Sequence, residues 1–147
     1  MIVLDANVLL YAYDSTSLHH RRAAEWITQA FSGTEPVGIP WQTVVAFLRV
    51  VTNPRLPGDR YTVEEGVAVV ESWLEQPCVR LLGPQTEGRG ELYWSILKQT
   101  IQEGQARGPQ LGNAHLAALT TATGGVLYTT DQDFGRFPRL RWKNPLL

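Results

Sequence analysis

Asp5, Asp131 and Asp133 are the residues whose type and setting suit chemistry. Asp5 follows the apolar run Ile2-Val3-Leu4 and precedes the helical rhythm of Asn7-Val8-Leu9-Leu10-Tyr11-Ala12, so it falls where a strand ends and a helix begins. In open α/β sheets ligands bind at that edge, outside the carboxyl ends of the strands. Asp131 and Asp133 come directly after Val126-Leu127-Tyr128-Thr129, a second strand candidate. If the two strands are neighbours, the three carboxylates converge with the helix start at Asn113. Crowded carboxylates repel, and they either take up protons or hold a cation. Oxygen donors without Cys or His at zinc spacing favour Mg²⁺ or Mn²⁺. Such an ion can polarise a phosphodiester and activate a water for in-line attack. The competing reading is that Asp131 and Asp133 only cap a short helix around Phe134. Capping accounts for one of them and leaves Asp5 unexplained.

The elements that must position these residues follow in order. Ile2-Val3-Leu4 lacks alternation, as a strand buried on both faces does. A helix is expected from about Leu18 to Phe31, with His20 packed beside Trp26. Val37-Gly38-Ile39 is a short strand, and Pro40 starts a helix to about Val51, stopped by Asn53-Pro54. Thr62 and Glu65 match a capping box for a helix to about Glu75. Val79-Arg80-Leu81-Leu82 is a third strand. A long helix is expected from Thr86 to about Ala106, ended by Gly108-Pro109. Gly112-Asn113 caps a helix from Ala114 to Thr123, and Gly124-Gly125 ends it. Leu140-Arg141-Trp142 is a short last strand. Strands alternating with helices make a parallel sheet with helices on both faces. Right-handed crossovers put the ends of the first and fourth strands on one edge.

The 147 residues suffice for one domain, 1–147, with one substantial core. Hydrophobic residues make up 44% and charged residues 18%, a globular balance. A net charge of −1 excludes a strongly basic nucleic-acid binder but allows a local basic patch. Cys78 is the single cysteine, so no intrachain disulfide forms, and it reads as a small half-buried residue. No apolar run approaches the roughly 20 residues of a spanning helix, and the N-terminus lacks a signal-peptide pattern. A cytoplasmic protein is expected.

Four blocks resemble the VapC family of PIN-domain ribonuclease toxins. They are Leu4 to Ala12, then Trp41 through Phe47-Leu48-Arg49-Val50-Val51-Thr52-Asn53-Pro54-Arg55, then Asn113-Ala114-His115-Leu116-Ala117-Ala118-Leu119, and finally Thr130-Asp131-Gln132-Asp133-Phe134-Gly135-Arg136-Phe137. The tail Leu140 to Leu146 also fits. The resemblance implies a three-layer α/β/α domain with a central parallel sheet of four to five strands. It implies Mg²⁺-dependent endonucleolytic cleavage of RNA at a four-carboxylate site. Asp5 matches the first acid and Asp131 the fourth, with Asp133 one ligand step beyond. The third acid falls on Asn113, which keeps a carbonyl oxygen but brings no charge. The catalytic set implied is thus Asp5, Asn113, Asp131 and Asp133, with Asp5, Asn113 and Asp131 on the metal. The second acid falls on Ala46; Gln42, one helical turn earlier, faces the same way without charge.

Arg136, Arg139, Arg141 and Lys143 interleave with Phe137 and Trp142, a combination suited to single-stranded RNA; Trp142 reads rather as a core-sealing residue. Arg49 and Arg55 flank the loop after the second main helix, and Arg49 could instead pair with an acid of the site. Arg49, Arg136 and Arg141 are the RNA-binding candidates. Arg21 and Arg22 read as a solvated helix face. The resemblance implies an antitoxin partner covering the acidic groove, and a homodimer for which Val63, Val67 and Val70 offer apolar surface. Two other functions compete. A dehalogenase-type phosphatase needs a second Asp two residues after Asp5, where Asn7 stands. A catalytically silent RNA- or antitoxin-binding module is favoured by Ala46 and Asn113.

Overall fold

Ile2, Val3 and Leu4 are all buried, which is the environment a continuous apolar strand demands. They form β1 (Ile2–Leu4), the middle strand of a five-stranded sheet in the order β3-β2-β1-β4-β5. The structure, a computed structural model, describes residues 1–84 and 90–147. The other strands are β2 (Val37–Pro40), β3 (Val79–Leu82), β4 (Val126–Tyr128) and β5 (Trp142–Lys143), and every pairing is parallel.

Side chains alternate across a strand, and β1 divides the core accordingly. Ile2 and Leu4 pack with α1 (Ala6–Ala12), α2 (His20–Ser32), α3 (Trp41–Val51) and α4 (Val63–Leu74), through Val8, Leu9, Ile27, Phe31, Phe47 and Trp73. Val3 and Leu127 point the other way, to α5 (Glu91–Gly104) and α6 (Gln110–Thr123). The result is the expected α/β/α arrangement. No helix among the described residues is long and apolar enough to cross a membrane.

Strand order reverses at β1. The chain builds outward from β1 to β2 and β3, then returns to place β4 on β1's other side. Such a switch point leaves a crevice at the carboxyl ends of the two strands. Leu4 pairs with Tyr128, and Asp5 N–H donates to Tyr128 O at 3.2 Å, so the ladder holds up to the crevice. On the other flank Thr43 Oγ1 donates to Leu4 O at 2.8 Å, tying the start of α3 to the residue before Asp5.

The capping box forms as expected: Thr62 Oγ1 accepts from Glu65 N and Glu65 Oε1 from Thr62 N. Cys78 is half-buried, its Sγ 3.2 Å from Phe31 O. Three local expectations are corrected. His20 does not pack beside Trp26. Six residues is well short of two full turns, so the two diverge. His20 Nδ1 lies 3.1 Å from Tyr11 O, while Trp26 stacks on Tyr128 at 4.9 Å. The last strand is Trp142–Lys143, and Leu140 lies before it, packed among the α6-side residues. Asn113 is no cap: Pro109 takes that position and α6 begins at Gln110, leaving Asn113 in the first turn of the helix. The expected start of the long helix at Thr86 lies outside the described residues.

Gly38 illustrates how tightly the strands are covered. A methyl group there would stand 2.3 Å from Leu82 Cδ1 and 3.1 Å from Met1 Sδ. Gly38→Ala should therefore lower stability by about 1–3 kcal/mol, the usual cost of overpacking, as read by urea denaturation. A variant as stable as the parent would show that Leu82 swings aside.

Candidate active site

Thr129 is the residue that assembles the site. It is fully buried immediately after β4. Its hydroxyl accepts from Asn7 Nδ2 at 3.1 Å and from Asp131 N at 3.1 Å, and lies 2.7 Å from Asp5 Oδ2. A hydroxyl has one proton to give and two lone pairs. Both other partners are donors, so the proton must point at Asp5. Asn7 completes the loop, with Nδ2 3.2 Å from Asp5 Oδ2 and Oδ1 accepting from Thr130 N at 3.3 Å. Asp5 Oδ1 meanwhile caps α1, accepting from Ala6 N at 2.7 Å.

Asp131 has one oxygen for each of two tasks. Oδ1 accepts from Asp133 N at 2.9 Å and caps the 3₁₀ turn Gln132–Arg136. Oδ2 faces Asn113 Nδ2 at 3.4 Å, a long contact. Capping is real, as the competing sequence reading held, but it occupies only half of the carboxylate. Burial pushes the Asp5 carboxyl above its ordinary range; the hydrogen bonds from Thr129 and Ala6 oppose this, and the nearby charge of Asp131 adds to it.

Asp5, Asn113 and Asp131 are thus brought together. Asp133 is not part of a three-carboxylate cluster: among the described residues no group of three His, Cys, Asp or Glu side chains could hold an ion. Its Oδ1 instead accepts from Arg136 Nη2 at 2.9 Å and Nε at 3.1 Å. Arg136 Nη1 also donates to Gly104 O at 3.0 Å, so the guanidinium is fixed. Arg49 is exposed in the last turn of α3 and, among the described residues, makes no ion pair with an acid of the site. Arg141 is at the opposite end of the sheet: its Nη2 donates to Gly124 O, ahead of β4. Trp142 is partly buried against the α6-side core.

Sequence reasoning missed Thr129 as a site residue and weighed Asn7 only against a phosphatase. The signal was present, since a hydroxyl followed closely by an acid leaves the strand at Thr129-Thr130-Asp131. A second polar contact sits behind Asn113. Tyr93 Oη lies 2.7 Å from His115 Nδ1 and 3.2 Å from His115 O, joining α5 to α6. Burial pushes the Tyr93 phenol up to about 12 and the His115 imidazole down.

The donor set, two carboxylates with an amide carbonyl available from Asn113, is hard and oxygen-only. Mg²⁺ is held by about one or two carboxylates and keeps several waters. These residues therefore fit such an ion without a third acid.

A parallel five-stranded sheet between two layers of helices is the PIN-domain fold. Ribonuclease VapC37 of Mycobacterium tuberculosis is 34% identical over 145 residues, covering 99% of this chain and 97% of that protein. The chain belongs to the VapC family of ribonucleases, toxins of toxin–antitoxin systems. Among solved structures, VapBC-1 from nontypeable Haemophilus influenzae matches with a TM-score of 0.67 at 18% identity, over 99% of this chain and 98% of that one. VapC20 of M. tuberculosis, a sarcin–ricin-loop-cleaving toxin, matches at 0.65 and 14% identity, over 96% and 99%. No protein-family model matches the sequence.

Removing the charge of Asp131 favours the ionised form of Asp5. In metal-free protein the Asp5 carboxyl should titrate above the ordinary aspartate range by carboxyl-detected NMR, and Asp131→Asn should lower its midpoint. An unchanged midpoint would mean that the two carboxylates do not share a site.

Proposed function

We propose that this chain is a cytoplasmic Mg²⁺-dependent endoribonuclease toxin that hydrolyses RNA phosphodiesters at the edge shared by β1 and β4. One observation carries the reading. Asp5 and Asp131, far apart in sequence, are locked to the same buried hydroxyl of Thr129 and interact electrostatically. Asp5, Asp131 and Asn113 would hold the ion. The chemistry Mg²⁺ supplies when bound is neutralisation of phosphodiester charge and activation of water for in-line attack. Thr129 and Asn7 orient the Asp5 carboxylate. Asp133 positions Arg136, whose remaining guanidinium N–H groups meet an RNA phosphate, and the exposed Arg49 supplies a second contact. The position of Arg141 at the far end of the sheet argues against a part for it in this contact.

The partner is a small antitoxin that covers the acidic groove, in keeping with membership of a toxin family. A homodimer is supported by an exposed apolar stripe on α4: Val63 is 65% exposed, Val67 44% and Leu74 43%, at helical spacing. The second reading, a module that binds without cleaving, draws support from the uncharged Asn113 and Ala46.

The test is cleavage of single-stranded RNA with Mg²⁺ by the protein and by its Asp5→Asn and Asn113→Asp variants. A carboxylate about 4 Å from a divalent ion gains about 2 kcal/mol even at the dielectric of water. Asn113→Asp should therefore raise activity at limiting Mg²⁺ by more than about tenfold, and Asp5→Asn should abolish it. Absence of cleavage by both the parent and Asn113→Asp would defeat the nuclease reading in favour of a binding module.

A further inference from the structure

Gln105 is, among the described residues, the one non-glycine residue with left-handed backbone, at φ 49°. It ends α5: Gln105 N donates to Gln102 O at 3.3 Å and Ala106 N to Ile101 O at 3.1 Å, the paired bonds of a left-handed helix stop. Glycine is the cheap residue for that conformation. It sits one position earlier instead, because a methyl group on Gly104 would stand 2.6 Å from the Phe137 ring. A side chain kept at a strained position points to a use for that side chain.

Gln105 lines an open cavity of about 350 Å³ with Ile101, Gln102, Ala106 and Arg107, within the size range of small-ligand sites. Ile101 and Ala106 are packed on the α6-side core, so the apolar wall is anchored. Gln102, Gln105 and Arg107 are exposed. Gln105 Nε2 donates to Gln102 O at 2.7 Å. A backbone carbonyl only accepts, so this amide cannot be turned over and its Oε1 is left as an open acceptor. Arg107 N–H donates to Gln110 Oε1 at 3.2 Å, while its guanidinium has no partner among the described residues. The cavity adjoins the catalytic edge. Arg136 Nη1 holds Gly104 O, the residue before Gln105, and Arg136 belongs to the turn that Asp131 caps. From Arg107 the chain turns into α6, whose first turn carries Asn113; six residues along a helical path rise about 9 Å.

We propose that this cavity takes an unstacked guanine of the RNA, close along the strand to the bond that is cut. Bases splayed out of single strands are read by hydrogen bonds along their edges. Guanine presents O6 and N7 as paired acceptors for an arginine, and an amino group as donor for an amide oxygen. Arg107 and Gln105 Oε1 supply that complement. Adenine and cytosine set an amino group where the arginine needs an acceptor, and uracil has no amino group for Oε1. This inference rests on the ribonuclease reading above.

The test is fluorescence anisotropy with metal-free full-length protein and labelled RNA octamers, uridine throughout or with one central guanine, adenine or cytosine. The guanine octamer should bind about fivefold or more tighter than each of the others, the discrimination of a paired arginine contact. Arg107→Lys keeps the charge but not the fork; it should bring the guanine octamer to within about twofold of the rest while holding the affinity for all-uridine RNA. Gln105→Gly relieves the backbone and should melt no lower than the parent, yet lose the guanine preference as well. A parent that prefers no base or another base overturns the inference, as does either variant keeping the preference. Failure of every octamer to bind overturns it too. If Gln105→Gly does not fold, Arg107→Lys decides the matter. Cleavage with Mg²⁺ separates the two readings. Cutting without guanine preference sinks this inference alone, whereas no cutting by the parent or by Asn113→Asp sinks the ribonuclease reading beneath it.

Discussion

Parallel pairing of β1 with β4 is the constraint on which the site depends. Antiparallel neighbours would send their carboxyl ends to opposite edges, whereas a parallel pair delivers both to one. The register Leu4 with Tyr128 then sets Asp5 level with Thr129, 124 positions later. Neither strand is long: each has three residues. Their alignment is secured from outside, by β2 and β5 on the flanks and by apolar helices on both faces. A hydroxyl whose proton and lone pairs are all committed cannot rotate, so Thr129 converts strand register into the orientation of a carboxylate.

The electrostatics of the crevice follow from that geometry. Burial of Asp5 disfavours its charge, and the hydrogen bonds of Thr129 and Ala6 return part of the cost. A third carboxylate at Asn113 would stand 3.4 Å from Asp131 Oδ2 and repel it. The amide there turns a repulsive contact into a weakly attractive one. A metal-free fold with less internal repulsion is the gain, and a weaker grip on a divalent ion is the corresponding loss.

Much of this was legible in the sequence, for identifiable reasons. The unbroken run Ile2-Val3-Leu4 could only be a strand covered on both faces, and Thr62 with Glu65 specified a helix start through local hydrogen bonds. Both features are settled within a few residues. What the sequence hid depends on the third dimension. Asn113 looked like a cap because Gly112 precedes it, yet Pro109, with its fixed φ, had already started the helix. Asp133 was grouped with the catalytic acids because it follows Asp131 by two. The 3₁₀ turn sets its Oδ1 against Arg136, and nothing local announces that Gly104 O will hold the other side of that guanidinium.

The two ends of the sheet also decide which cations can serve an acidic edge. A strand rises about 3.3 Å per residue, so even a three-residue strand separates its ends by about 10 Å. Arg141 precedes β5 and binds Gly124 ahead of β4, which places it at the amino end with that separation against it. Arg136 is anchored in the turn that Asp131 itself caps, and Arg49 lies two helical turns beyond Gln42 on α3. One cation, Arg136, is therefore held rigidly on the β4 flank of the crevice, whereas Arg49 is an exposed side chain at the far end of α3. A polyanion lying across the carboxyl edge, as proposed above, would meet that fixed contact beside the paired acids.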